Sequence, residues 1–536
     1  MPAIKSLVYI GFALASFTAA VVRAEGSADC ARLAHTFKSS AAPVVVTSEL
    51  IDASPQKPWI IPDVAFGHTP EASRERITEP FCRVVGSIRP TAQSNIGFEV
   101  WLPSQERWNG KFFGTATGGS AGTVQYDALV EPLRRGYASM GQDNGHVSKS
   151  AYEQSWAVDP ATHQIESEKL VDFAHRAQHL STVIGKELAN AYYRKAVRRA
   201  YFVGCSQGGH HGMMEAQRYP DDYDGIVAGA LANHWITTLT TEAWASTAML
   251  ANNRSGELSI AQLHALHAAV IKSCDALDGL VDGQIDDPRK CQFDPATLEC
   301  GQAGKSGETC LTPAQIAAVE KIYDGLRRPE SEMPVALPYN RGSEGQWNNT
   351  WTAGHYPPSG SFYDFYRLLV HQNPDWDFLT LDWKADVAAA RSKFSGVFDA
   401  VDPNLSPFQA HGGKLIMFHG WADPLIPGAE SVETWNAITR TMGSAKAHEF
   451  VRLFMVPGMG HCGGGPIGSA DWLSALERWV EQGMPPDGTA STYTIVGSGR
   501  IDQVARTRPY CPYPQIAHYK GSGDINRAES FSCSMQ

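Results

Sequence analysis

The run Gly204-Cys205-Ser206-Gln207-Gly208 constrains the fold of this chain more than any other feature. It lies between a short apolar stretch with strand character, Ala200-Tyr201-Phe202-Val203-Gly204, and a helix-forming stretch through Met213-Met214-Glu215-Ala216-Gln217-Arg218. A serine on a tight strand-to-helix turn is pushed out at the edge of a sheet, and small residues on either side relieve the crowding. The helix N-terminus and the Gln207 amide then face the point where an attacked carbonyl would gather negative charge.

A serine hydroxyl is inert without a base. In sheets that carry such a turn, the partners follow in the order serine, acid, histidine, each on a loop after a late strand. Asp423 lies in His419-Gly420-Trp421-Ala422-Asp423-Pro424, past the β-rich Lys414-Leu415-Ile416-Met417-Phe418. His461 lies in Pro457-Gly458-Met459-Gly460-His461-Cys462, past the β-rich run that ends at Val456. Taken alone, Asp423 reads equally as a helix cap before Pro424, and His461 as one loop histidine among 18. As an ordered trio on three strand ends they predict Ser206 as nucleophile, His461 as base and Asp423 as orienting acid. Cys205 precedes the serine and Cys462 follows the histidine, so a hydrogen bond from Ser206 to His461 would bring the two sulfurs within bonding reach.

Elsewhere, strands alternate with helices. Phe98–Leu102 and Lys111–Gly114 read as strands before the Gly-rich Thr117-Gly118-Gly119-Ser120-Ala121-Gly122, a long amphipathic pattern runs from Glu166 to Tyr193, and a further helix spans Ala470–Gln482. The expected class is α/β, an α/β-hydrolase core with a mostly parallel sheet. Between Leu231 and Gln409 the rhythm fails, and the stretch carries four of the ten cysteines. It reads as one large inserted lid domain. The expected organisation is an export signal over 1–24, core over 25–230, lid over 231–409 and core again over 410–536. A chain of 536 residues exceeds what one hydrophobic core supports. Its net charge of -11 argues against nucleic acid or an anionic membrane as partner. Lys5 followed by the apolar run Leu7–Val22 has the form of a cleaved signal, and an even ten cysteines without a CxxC pair favour disulfides over metal. A secreted or periplasmic location follows.

These residues resemble the tannase and feruloyl esterase family, which also contains the mono(2-hydroxyethyl) terephthalate hydrolases. The signature is the Cys205-Ser206 pair, the distant Asp423 and the His461-Cys462 pair, with the Gly-rich loop near Gly118 and the Pro457–Gly465 segment. The resemblance implies bridges Cys30–Cys82, Cys205–Cys462, Cys274–Cys291, Cys300–Cys310 and Cys511–Cys533. It also implies an oxyanion hole from the Gln207 amide and that of Gly118 or Gly119.

Within the lid, Cys274-Asp275-Ala276-Leu277-Asp278-Gly279-Leu280-Val281-Asp282-Gly283-Gln284 spaces aspartates with glycines, and oxygen ligands at such spacing suit calcium. The family pattern assigns the side chains of Asp275, Asp278 and Asp282 and the backbone oxygens of Leu280 and Gln284 to a structural Ca2+; a solvated acidic turn is the other reading. Trp347, Trp351, Tyr356, Phe362, Tyr363 and Trp376 either line a slot for a planar acyl group or pack the lid's core. His419 and Ile426 flank the acid and are expected to meet substrate. Ile426 stands where the terephthalate-monoester enzymes carry an aromatic residue, which puts esters of hydroxycinnamic acids first, galloyl esters second and terephthalate monoesters third. A binding protein on the same fold, or a lyase, are the readings of another class.

Overall fold

The computed structural model describes residues 28–63, 70–148, 150–301, 307–328, 334–349, 361–463, 470–487, 492–496 and 504–535. The expected export signal and the lid aromatics Trp351 and Tyr356 lie outside the described residues. The chain forms two compact units. The first takes in the described residues up to Thr117 with Ala121–Ser150 and His175–Tyr201; the second takes in Gly118–Ser120, Ala151–Ala174 and the described residues from Phe202 onward.

In the first unit the strands are β1 (Val44–Ile51), β2 (Phe81–Ile88), β3 (Ile96–Pro103), β4 (Lys111–Gly114) and β5 (Ala138–Gln142), in the order β1-β2-β3-β5-β4. The first three pairings are antiparallel, with Val44 opposite Ile88, Phe81 opposite Pro103 and Phe98 opposite Gln142; β4 runs parallel to β5. β3 is buried along nearly its whole length, Glu99 included. That carboxylate is tolerated because Arg83 Nη2, the Tyr126 hydroxyl and Trp101 Nε1 donate to it at 2.6, 2.9 and 3.0 Å. Cys30–Cys82 fastens the N-terminal segment to β2.

The single helix expected over Glu166–Tyr193 is interrupted. Ser167–Val171 and α1 (Ala177–Tyr193) are α-helical, while Asp172–Arg176 widens into a π-turn. Within that turn the Phe173 carbonyl accepts from His211 Nε2 at 2.9 Å, a bond no period in the sequence announces.

The second unit holds the last part of β6 (Arg199–Cys205), with β7 (Gly225–Gly229), β8 (Lys414–Gly420) and β9 (Val451–Val456) beyond it in that order. β7, β8 and β9 pair in parallel, Phe418 lying level with Gly229 and Phe454. Helix α2 (Gln207–Arg218) follows β6 directly. The stretch inserted between β7 and β8 is helical: α3 (Trp235–Arg254), α4 (Ile260–Cys274), α5 (Pro313–Asp324) and α6 (Ala385–Phe398). Capping boxes start α4 at Ser259 and α5 at Thr312. This stretch and the C-terminal strands belong to the same compact unit. The inserted stretch buries an apolar cluster that includes Leu239, Leu266, Val319, Phe365 and Phe394. No helix of the described residues is long and apolar enough to cross a membrane.

Helix α2 lies hard against β7. A Cβ on Gly209 would come within 2.1 Å of the Gly229 carbonyl oxygen, and one on Gly229 within 2.2 Å of the Phe418 ring. Backbone on one side and a packed ring on the other leave nowhere to relax. Gly209→Ala is expected to cost about 1–3 kcal/mol, read as a lower midpoint in chemical denaturation; an unchanged midpoint would contradict this packing.

Candidate active site

Ser206 stands between the end of β6 and the start of α2 at φ 63° and ψ -123°, a backbone region that residues with a Cβ seldom enter. The surrounding pattern explains why this conformation persists. A Cβ on Gly204 would lie 2.4 Å from the Gly208 carbonyl oxygen, so the turn closes only with glycine there. The Ser206 amide donates to the Gly229 carbonyl at 3.0 Å, and its own carbonyl accepts from the His210 amide at 2.9 Å.

The three residues expected from sequence meet. Ser206 Oγ donates to His461 Nε2 at 2.8 Å, and His461 Nδ1–H donates to Asp423 Oδ2 at 2.8 Å. The imidazole keeps 20% of its side-chain surface exposed, whereas the Asp423 carboxylate is fully buried. Asp423 Oδ1 accepts from the amides of Leu425 and Ile426 at 2.9 and 3.0 Å. Burial by itself would raise this carboxyl, but His461 and His419 beside it override burial and hold it well below the usual carboxylate range. Behind the pair, Cys205–Cys462 joins the serine turn to the histidine loop across 257 residues. The other four bridges, Cys30–Cys82, Cys274–Cys291, Cys300–Cys310 and Cys511–Cys533, pair as the family resemblance implies.

His419 does not stand where a substrate contact was expected. It is wholly buried, its Nδ1 accepts from the Ser431 hydroxyl at 2.7 Å, and its Nε2–H donates to the Ile426 carbonyl at 2.8 Å while lying 3.3 Å from Asp423 Oδ2. It braces the acid from behind. Ile426 is 4% exposed and belongs to the apolar cluster of the inserted stretch, so its part in the site is that of its backbone, which grips Asp423 and His419. Of the two readings of the lid aromatics, core packing holds for those among the described residues. Trp347, Phe362 and Trp376 are buried core residues and Tyr363 packs on them, because their rings close the inserted stretch on itself.

The Gln207 amide opens α2 beside the serine. Gly119 takes φ +56° with its α-carbon pressed against Ala151, where a Cβ would meet the carbonyl oxygen at 2.4 Å. The next amide, of Ser120, is spent on the Ala151 carbonyl at 2.7 Å. Gly118 precedes them on the same short loop. Gln154 holds that loop through Ser120 Oγ at 3.1 Å, and its own amide donates to Asp364 of the inserted stretch at 2.8 Å. Neither Gln154 nor Asp364 carries a motif that would have revealed it. His210 and His211 are further residues that sequence reading missed. His210 Nε2 donates to the Phe398 carbonyl at 2.6 Å, and burial pushes His211 down to about 4, so it stays neutral behind the nucleophile. Glu242 on α3 is pushed up to about 8, by burial first and then by the charge of Asp423.

Away from this centre, the acidic loop is folded around Asp275, whose carboxylate accepts from the amides of Asp282, Gly283 and Gln284 at 3.0 to 3.3 Å. Asp278 accepts from the Leu280 amide at 2.8 Å, and Asp282 is paired with Arg508. Asp286, which sequence reading left aside, is pushed up to about 8 by burial and then by Asp278 and Asp282. Arg508 pairs with Asp282 and its charge bears on Asp286, and every potential ligand atom is a hard oxygen. That donor chemistry fits a divalent hard cation.

The comparisons agree with this geometry. The family described as tannase and feruloyl esterase matches residues 82–534. The chain is 33% identical to an uncharacterized esterase of Xanthomonas campestris pv. campestris over 84% of each chain. It is 35% identical to a probable feruloyl esterase of Arthroderma benhamiae over 87% of each. The crystal structure of feruloyl esterase B from Aspergillus oryzae superposes with a TM-score of 0.83 at 29% identity, covering 95% of this chain and 100% of that one. With its serine turn, acid and histidine assembled on strand ends of an α/β fold, this chain belongs to the tannase and feruloyl esterase family and is a carboxylic ester hydrolase.

Proposed function

We propose that the protein is an exported hydrolase of hydroxycinnamic acid esters that works through an acyl-enzyme on Ser206. The observation that carries this reading is the continuous line from Asp423 through His461 to Ser206, each link 2.8 Å long. Ser206 attacks the ester carbonyl as His461 takes its proton, and Asp423 holds the imidazole in the tautomer that presents Nε2 as acceptor. The oxyanion leans on the Gln207 amide and on that of Gly118 or Gly119. His461 then protonates the departing alcohol, and water repeats the sequence to release the acid. Hydroxycinnamoyl esters lead because the similar proteins named above include feruloyl esterases; galloyl esters follow within the same family. Export is supported by the N-terminal apolar run and the five disulfides.

In the acidic loop, Asp275, Asp278 and Asp282 with the carbonyls of Leu280 and Gln284 would hold Ca2+, which would neutralise the loop's excess negative charge and stiffen it. The ion takes no part in the chemistry.

Turnover of methyl ferulate, methyl gallate and mono(2-hydroxyethyl) terephthalate ranks the substrate classes, with methyl ferulate expected first. Ser206→Ala is expected to lower kcat on the best of them by more than about 1,000-fold; near wild-type turnover in that variant would end the assignment. Chelation of Ca2+ is expected to lower the thermal midpoint by several degrees, restored by Ca2+ and less by Mg2+, since a ligand bound only to the native state stabilises it by mass action. A midpoint indifferent to chelator would remove calcium from the account. Glu242 holds its proton more tightly when folded, so its ionisation opposes folding once pH rises past its unfolded value, and the full penalty is reached above about pH 8. Glu242→Gln should therefore raise the midpoint at pH 9 and leave it nearly unchanged at pH 4; an equal effect at both would contradict the burial of this carboxyl.

A further inference from the structure

A second cavity, of about 390 Å³, opens beside the catalytic loops, and none of Ser206, Asp423 or His461 lines it. Its walls come from α4, from the end of the acidic loop, from the turn after α5 at Arg341 and Gly342, and from Trp421, Ala422 and Gly458. Arg341 has its guanidinium stacked over the Tyr323 ring at 4.4 Å and its Nε committed to the Phe293 carbonyl at 2.9 Å. Its two Nη groups have no hydrogen-bond partner among the described residues. Gln284 is 3% exposed, yet its Nε2 is buried without a partner, an arrangement that costs free energy unless something polar arrives. His267 has its Nδ1 on Glu344 Oε2 at 3.2 Å, which leaves Nε2 for a ligand. No carboxylate of the described residues lines the space. Glu344, just behind it, is saturated by the Tyr323 hydroxyl at 2.6 Å and the Gly342 amide at 2.8 Å as well as by His267. His264 and Gln346 also line it, and Ile271, Ile285, Pro288 and Trp421 supply its apolar walls.

We infer that this cavity is an accessory binding site for a small organic carboxylate with a flat apolar body. The fork of Arg341 takes the carboxylate in two parallel hydrogen bonds. The body of the ligand lies against Trp421 and Ile285. Size agrees: an apolar cavity of about 150 Å³ already accepts benzene, so this space holds an aromatic ring with a short acid tail. The acid released by hydrolysis of an aromatic ester belongs to this class, and that link alone rests on the proposed function. Because Trp421 and Ala422 immediately precede Asp423, a ligand here abuts the acid loop.

The test is calorimetric titration of sodium ferulate into the full chain after a serine-reactive phosphonate has blocked Ser206. One site per chain is expected. Arg341→Met should weaken binding at least about tenfold, the range for losing charged hydrogen bonds. Coniferyl alcohol, the same body without the carboxylate, should bind at least about tenfold more weakly. Arg341→Lys and the alcohol decide the matter if Arg341→Met fails to fold. Absence of binding to the blocked enzyme, binding unchanged in the folded variants, or equal binding of the alcohol overturns the site. Failure of the phosphonate to label Ser206 counts against the esterase mechanism instead, and the arginine dependence of ferulate binding is then read on the unblocked chain.

Discussion

An ionised carboxylate removed from water has to be repaid in hydrogen bonds, and the candidate site is organised around that requirement at Asp423. Its two oxygens draw on the Leu425 and Ile426 amides, on His461 and on His419, whose ring is itself fixed by Ser431 and the Ile426 carbonyl. With those donors in place the carboxyl stays charged despite full burial, and a charged Asp423 fixes the tautomer and orientation of His461. The serine turn is then held to the histidine loop by Cys205–Cys462, so base and nucleophile do not drift apart. Remove the charge on Asp423 and the bridge has nothing oriented to hold.

The same logic of satisfied polar groups ties the inserted helices to the nucleophile. The Phe398 carbonyl receives His210 from α2, and Asp364 receives the backbone of Gln154, which holds the Gly-rich loop through Ser120; the Phe173 carbonyl, in the π-turn before α1, receives His211. The inserted stretch is therefore more than a cover. It supplies acceptors that position the serine helix and the loop expected to complete the oxyanion hole, while its aromatic residues are consumed in its own core. At the acidic loop the balance is left open: Arg508 offsets only part of the charge of Asp278, Asp282 and Asp286.

Much of this was legible in the linear chain. The strand, turn and helix about Ser206 are dictated locally, because steric crowding at Gly204 and Gly208 and the apolar run before them act over a few residues. The strands before Asp423 and His461 announce themselves by β-branched and aromatic density, and their order along the chain identifies the three partners. Cysteines adjacent to two partners carried the central bridge, and family resemblance carried the rest. His419 was misplaced and the lid aromatics stayed open between slot and core for one reason: a histidine or tryptophan near a catalytic motif looks the same in sequence whether it faces a ligand or a core.

What the sequence by itself determined was the chemistry on offer: a serine at a strained turn, an acid and a histidine on later strand ends, an oxygen-rich loop, and cysteines in even number. Tertiary structure alone decided which polar groups were satisfied. Arg508 reaches Asp282 from 226 residues away, Gln154 reaches Asp364 across 210, and Gln284 is left with a buried donor that no partner meets among the described residues. Such pairings follow from the packing of distant segments, and no local period or spacing encodes them, since a hydrogen bond depends on distances in space that the chain sets only once it is folded.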